Sequence, residues 1–90
     1  MTNLIISYEL DMPGKNKAVF EAETAALGLA KKILPTAYYV KTGLSYYEAA
    51  ARIFDVIGSR DQVIVVEAAN ASMSGLFPET SEFIQAHWAK

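Results

Sequence analysis

Glu9 and Asp11 stand two residues apart at the close of an apolar run, L4-I-I-S-Y-E-L-D11, and Glu67 closes a second one, V63-I-V-V-E67. Carboxylates at strand ends are what a small sheet can use to hold a divalent cation and direct water at a phosphate. Asp11 has a competing explanation, because it opens D11-M-P-G14 and Asp in a turn bonds local backbone. Glu67 is expected far from Glu9, since the end of one strand lies beside the start of its antiparallel neighbour. The chain has no cysteine and one histidine, His87, which excludes thiolate chemistry, disulfides and a multi-histidine metal cage. His87 is read as a surface or packing residue.

The basic residues suggest a different chemistry. Lys15 and Lys17 open the first helical stretch and Lys31 and Lys32 enter the second strand, so these four form the candidate nucleic-acid patch. Lys41, Arg52, Arg60 and Lys90 stand alone, and the formal net charge is −2. Phosphate neutralisation needs clustered cations, so the charge balance favours ordinary solvated lysines. G14-K15 lacks the upstream glycine and following Ser or Thr of a phosphate loop. Tyr8, Tyr38, Tyr39, Tyr46 and Tyr47 are the right type to stack on bases. They match no aromatic RNA-recognition signature, and core or dimer contact is the favoured role.

These residues sit on a simple order of elements within one domain, residues 1–90. Residues 3–10 read as a strand whose Leu4, Ile6, Tyr8 and Leu10 share one face and Ile5, Ser7 and Glu9 the other. Pro13-Gly14 reads as the centre of a type II turn. A helix is expected from Lys15 to Leu27, with Val19, Ala22, Ala26 and Leu29 as its apolar stripe and Gly28 as its stop. Residues 30–41 read as two strands broken at Pro35. Ser45-x-x-Glu48 is a capping box opening a helix that continues to Gly58, and Q62-V-I-V-V-E-A-A69 is the last strand. A polar connection, 70–77, leads to an additional C-terminal helix, 78–89, started by Pro78 and carrying Phe83, Ile84 and Trp88 on its apolar side. Trp88 is expected to dock on its own domain. This order is that of an α+β, ferredoxin-like split βαβ sandwich: an antiparallel sheet, order 4-1-3-2, with two core helices plus the C-terminal one.

With those landmarks in place, the chain resembles the Cas-two-like family, the small CRISPR-associated subunit and its SinR-like relatives. Relatives carry a strand close to L-I-S-Y-D-L ending in a Pro-Gly turn, matched by L4-I-I-S-Y-E-L-D-M-P-G14. Their extended segment with two threonines before Leu-Ser is matched by T36-A-Y-Y-V-K-T-G-L-S45, and their apolar strand ending in Glu by V63-I-V-V-E67. The resemblance implies a ferredoxin-like homodimer that assembles on nucleic acid with partner proteins, and in some members cleaves RNA or DNA with a metal. The acid of those enzymes is an Asp at the end of the first strand. Here the matching residue is Glu9, which the resemblance thereby makes the candidate catalytic residue; it is one methylene longer, and magnesium tolerates little departure from octahedral geometry.

The reading that follows is a homodimeric binding and assembly protein without chemistry of its own, with no cofactor, joined through Ile5, Ser7, Ala37, Tyr39 and Val63 on the sheet face opposite the core helices. A protein partner and weak nucleic-acid association are open to it. One alternative is a metal-dependent endonuclease, RNA- or DNA-directed, with Glu9 holding Mg²⁺ or Mn²⁺ at the dimer seam and Arg60 as the competing neutraliser. Another is a protein-binding inhibitor or regulator from a mobile element, covering a partner's basic surface with its acidic charge. No apolar run approaches the roughly 18 residues that cross a bilayer, and no basic leader precedes a long apolar stretch, so a soluble, cytoplasmic protein without membrane contact is expected.

Overall fold

The structure, a computed structural model, describes residues 1–11 and 13–88, and the side chains of residues 13–15 lie outside what it describes. Its elements run β1 (Thr2–Glu9), α1 (Pro13–Ala26), β2 (Gly28–Leu34), β3 (Ala37–Thr42), α2 (Tyr46–Phe54), β4 (Gln62–Glu67) and α3 (Pro78–His87). The four strands form one sheet of order β2-β3-β1-β4, every neighbouring pair antiparallel. The fold is α+β, ferredoxin-like, as the order of elements requires.

The period of two sorts β1 as expected. Leu4 and Ile6 are buried on the α1/α2 side, opposite Val40 and Tyr38 of β3, and Leu10 follows them into the core. Phe20, Ala49 and Ile53 close that core from the helices, and Leu27 from the turn after α1. Each fully buried aliphatic or aromatic side chain here contributes on the order of 1.5–3 kcal/mol relative to exposure. Buried polar groups are matched: the Thr24 hydroxyl donates to the Phe20 carbonyl at 2.8 Å and that of Thr42 to the Leu27 carbonyl at 2.6 Å.

Three local expectations are corrected. Helix α1 begins at Pro13, so Pro13 and Gly14 lie in its first turn rather than at the centre of a type II turn; Pro suits the first helical position, where its missing N–H has no partner to lose. Met12, which that turn would have included, lies outside the described residues. The buried residues of α1 are Phe20 and Thr24, with Leu27 buried just past its end, while Val19 is half exposed, Ala22 and Ala26 face solvent, and Leu29 belongs to β2. Alanines on several faces left the stripe ambiguous, and the one large aromatic set its phase. Helix α2 stops at Phe54 with Asp55 as its C-cap, short of Gly58. Its N-terminus is the expected capping box: Glu48 N donates to Ser45 Oγ at 3.1 Å and Ser45 N to Glu48 Oε1 at 3.2 Å.

The other sheet face is half covered. Trp88, at the end of α3, stacks on Tyr39 of β3 with ring centroids 5.6 Å apart and planes 11° from parallel, and Phe83 meets the same ring edge-on at 6.3 Å. The Tyr39 hydroxyl donates to Asn3 Oδ1 at 2.8 Å and lies 3.0 Å from the His87 carbonyl oxygen. Trp88 therefore docks on its own domain, as expected. His87 has a packing role: its ring lies 4.3 Å from that of Phe83, and its Nδ1 is 2.9 Å from the Phe83 carbonyl.

Candidate functional site

Strand β1 carries Glu9 to its exposed end, on the face of Ile5 and Ser7 and across from Gln62 of β4. Glu67 pairs with Leu4 at the other end of the same strand, so the two glutamates are kept apart, as antiparallel pairing demands. Arg60 is exposed in the turn before Gln62. Among the described residues, no group of three or more His, Cys, Asp or Glu side chains is placed to hold a metal ion within one chain.

Among the described residues, the acid with the richest set of hydrogen-bond partners is Asp61, which the sequence reading passed over. Its carboxylate accepts from Asp11 N at 2.8 Å, from Asn16 Nδ2 at 2.7 Å and from Gly58 N at 2.7 Å. It ties the end of β1, helix α1 and the α2–β4 loop together. Asp11 thus contributes its backbone amide. The spacing G58-S-R-D61 is a local signal for the Gly58 contact, whereas Asn16 and Asp11 lie 45 and 50 residues away. The Gly58 and Asp11 amides hold the Asp61 carboxyl below its ordinary pKa against a smaller desolvation penalty, and Asn16 adds a lesser lowering. A depressed folded-state pKa stabilises the fold above the unfolded value and is lost as acid protonates the group. Asp61→Asn should therefore melt below wild type at pH 7, and that gap should close as pH falls below about 4. Melting curves of both proteins from pH 7 to pH 3 check this; a gap constant with pH would show that the carboxylate charge is irrelevant.

The four candidate lysines do not form one patch. Lys31 pairs with Tyr39 and Lys32 with Tyr38, which places them on opposite sheet faces, a consequence of the strand period that adjacency in sequence obscured. Lys32 instead joins Lys17 of α1 around a pocket at the end of β1. The Lys15 side chain lies outside the described residues.

The tyrosines divide similarly. Tyr8 and Tyr38 pack with Phe20 under α1, with Tyr8–Phe20 centroids 4.4 Å apart. Tyr38 donates to Glu21 Oε2 at 3.0 Å, and burial, with that bonded carboxylate second, pushes its hydroxyl pKa up. Tyr46 and Tyr47 are exposed at the start of α2.

Two interface candidates are corrected, Val63 for its face and Tyr39 for its exposure. Val63 pairs with Tyr8 and packs on the helix-covered core, because β4 runs in register with β1 and odd positions of β4 share that face. Tyr39 is 0% exposed beneath α3. Ile5 is partly covered, lining an apolar pocket with Trp88 and the 71–76 segment, and Ala37 is buried, while Ser7 is exposed. Apolar surface is left open on this face at both sheet edges: Ile64 is 64% and Val66 47% exposed on β4, and Leu29 is 48% and Leu34 52% exposed on β2.

No model of a known protein family matches the chain, and no curated protein sequence matches it. The molecule is an α+β domain of ferredoxin-like topology. No helix among the described residues is long and apolar enough to cross a membrane.

Proposed function

We propose that the protein is a Cas-two-like binding and assembly module that works as a homodimer, joined through the β1–β4 half of the sheet face that α3 leaves open. The observation that carries this reading is the exposed pair Ile64 and Val66 on an edge strand. Contiguous exposed apolar surface beside unpaired strand backbone favours a partner. The two edges of the sheet differ in a way that points to β4. Edge β2 carries an irregularity between Lys32 and Leu34 and two lysines, devices that oppose edge pairing, whereas the middle of β4 is a β-branched run.

Size exclusion with light scattering at low micromolar concentration is expected to give twice the mass of one chain. Ile64→Lys should convert it to monomer with an unchanged circular dichroism spectrum, because a lysine at that position is solvated in the free chain and unpaired in the seam. A wild-type monomer across the dilution range overturns the dimer. The nuclease reading draws on the exposure of Glu9 on the same open face, where a two-fold axis would supply a second carboxylate to Mg²⁺ or Mn²⁺. RNA or DNA cutting that needs Mg²⁺ or Mn²⁺ and disappears in Glu9→Gln would put that reading first.

A further inference from the structure

At the hairpin end of the sheet, on the side covered by α1, lies a pocket of about 260 Å³. Four parts of the fold build it. Tyr8 and Leu10 come from the end of β1, Pro35 and Thr36 from the β2–β3 turn, and Lys17 and Lys32 from α1 and β2. Leu10 is buried and Tyr8 half-buried, so the floor is apolar. The Tyr8 hydroxyl donates to the Pro35 carbonyl at 3.3 Å and its ring packs on Phe20, which fixes that floor in place. Glu9 also borders the pocket, but strand alternation places it on the face of Ser7, away from the side where Lys32 stands.

We propose that this pocket binds a phosphomonoester carrying a flat ring, the chemistry of a nucleoside monophosphate, either free or at the end of a strand. Two ammonium groups from different elements match a phosphate dianion, and lysine binds phosphate as a point charge with three donors. Tyr8 and Pro35 offer flat apolar surface to a ring, since aromatic faces stack on bases with little regard to sequence. The volume falls just short of the roughly 300 Å³ at which ligand pockets begin, so the site suits one compact unit rather than a length of polymer. A net charge of −2 does not oppose this, because a concave site concentrates the field of its own charges. The inference does not depend on the dimer.

The test is amide chemical-shift mapping of the full chain with uridine 5′-monophosphate, uridine, and a short oligouridylate with and without its 5′-phosphate. Shifts are expected at Tyr8, Leu10, Lys32 and Thr36 with the phosphorylated ligands, and binding of uridine weaker by at least about tenfold, the loss of roughly 1.4 kcal/mol. The monophosphate binding as well as the phosphorylated oligomer identifies a free nucleotide; preference for the oligomer identifies a strand end. Joint Lys17→Gln and Lys32→Gln should weaken binding at least about tenfold. Lys31→Gln, on the opposite face, should leave it unchanged, as should Ile64→Lys. Absence of shifts with millimolar monophosphate and phosphorylated oligomer, or affinity indifferent to the double substitution, overturns the proposal.

Discussion

Tyr39→Ala should lose about 3–5 kcal/mol of stability, the range for removing a large buried aromatic. A domain of this size holds roughly 5–13 kcal/mol in total, so the variant should melt about 15 °C or more below wild type. The size of the effect follows from where Tyr39 stands. It is fully buried in a central strand, its ring stacks on Trp88 and meets Phe83, and its hydroxyl donates to Asn3. Removing it leaves a cavity under α3 and unseats that helix. Tyr39→Phe retains the ring and should cost only about 1 kcal/mol, the net worth of a hydrogen bond. Trp88 is the single tryptophan of the chain, so its fluorescence reports the docking of α3 directly. Emission should shift to the red in Tyr39→Ala and stay near wild type in Tyr39→Phe. A Tyr39→Ala melt within a few degrees of wild type would mean that α3 does not rest on this face.

Gly28→Ala is the second large effect expected, roughly 2–4 kcal/mol, at or above the usual cost of overpacking. Gly28 is solvent-exposed, and exposure alone would predict tolerance. A methyl group there would collide with the Lys41 carbonyl oxygen and press on the Thr42 backbone. That backbone cannot withdraw, because β3 is paired on both sides, to β1 and to β2. Gly43→Ala is the matched control: its nearest neighbour is the Met1 sulfur at 3.9 Å, an ordinary contact, so the change should be close to neutral. Denaturant unfolding of both variants separates the two. A Gly28→Ala protein as stable as Gly43→Ala would show that the strands pair in another register.

The two faces of the sheet show how differently parts of the fold are encoded. Alternation along L4-I-I-S-Y-E-L10 and the Ser45–Glu48 box are readable because each rests on residues a few positions apart. The same rule, applied to β2, separates Lys31 from Lys32, and was available in the sequence once their strand was recognised. The phase of α1 was not, since a helix rich in alanine has no strong apolar stripe and Phe20 faces inward only because the Tyr8–Tyr38 cluster receives it. Val63 was misplaced for a related reason. A run of β-branched residues does not say which of its alternate members face the helices; pairing Tyr8 with Val63 does.

By itself, then, the sequence determined the element order, the α+β topology, the helix cap and the position of Glu9 at a strand end, because local periodicity and short-range hydrogen bonds carry that information. Tertiary structure alone decided that Asp61 gathers Asp11, Asn16 and Gly58 and that Trp88 closes over Tyr39. It alone decided that Lys17 and Lys32 meet at one pocket while Ile64 and Val66 stay open. Most of these partners are distant in the chain and are selected by the shape of the assembled sheet, which no window of neighbouring residues contains.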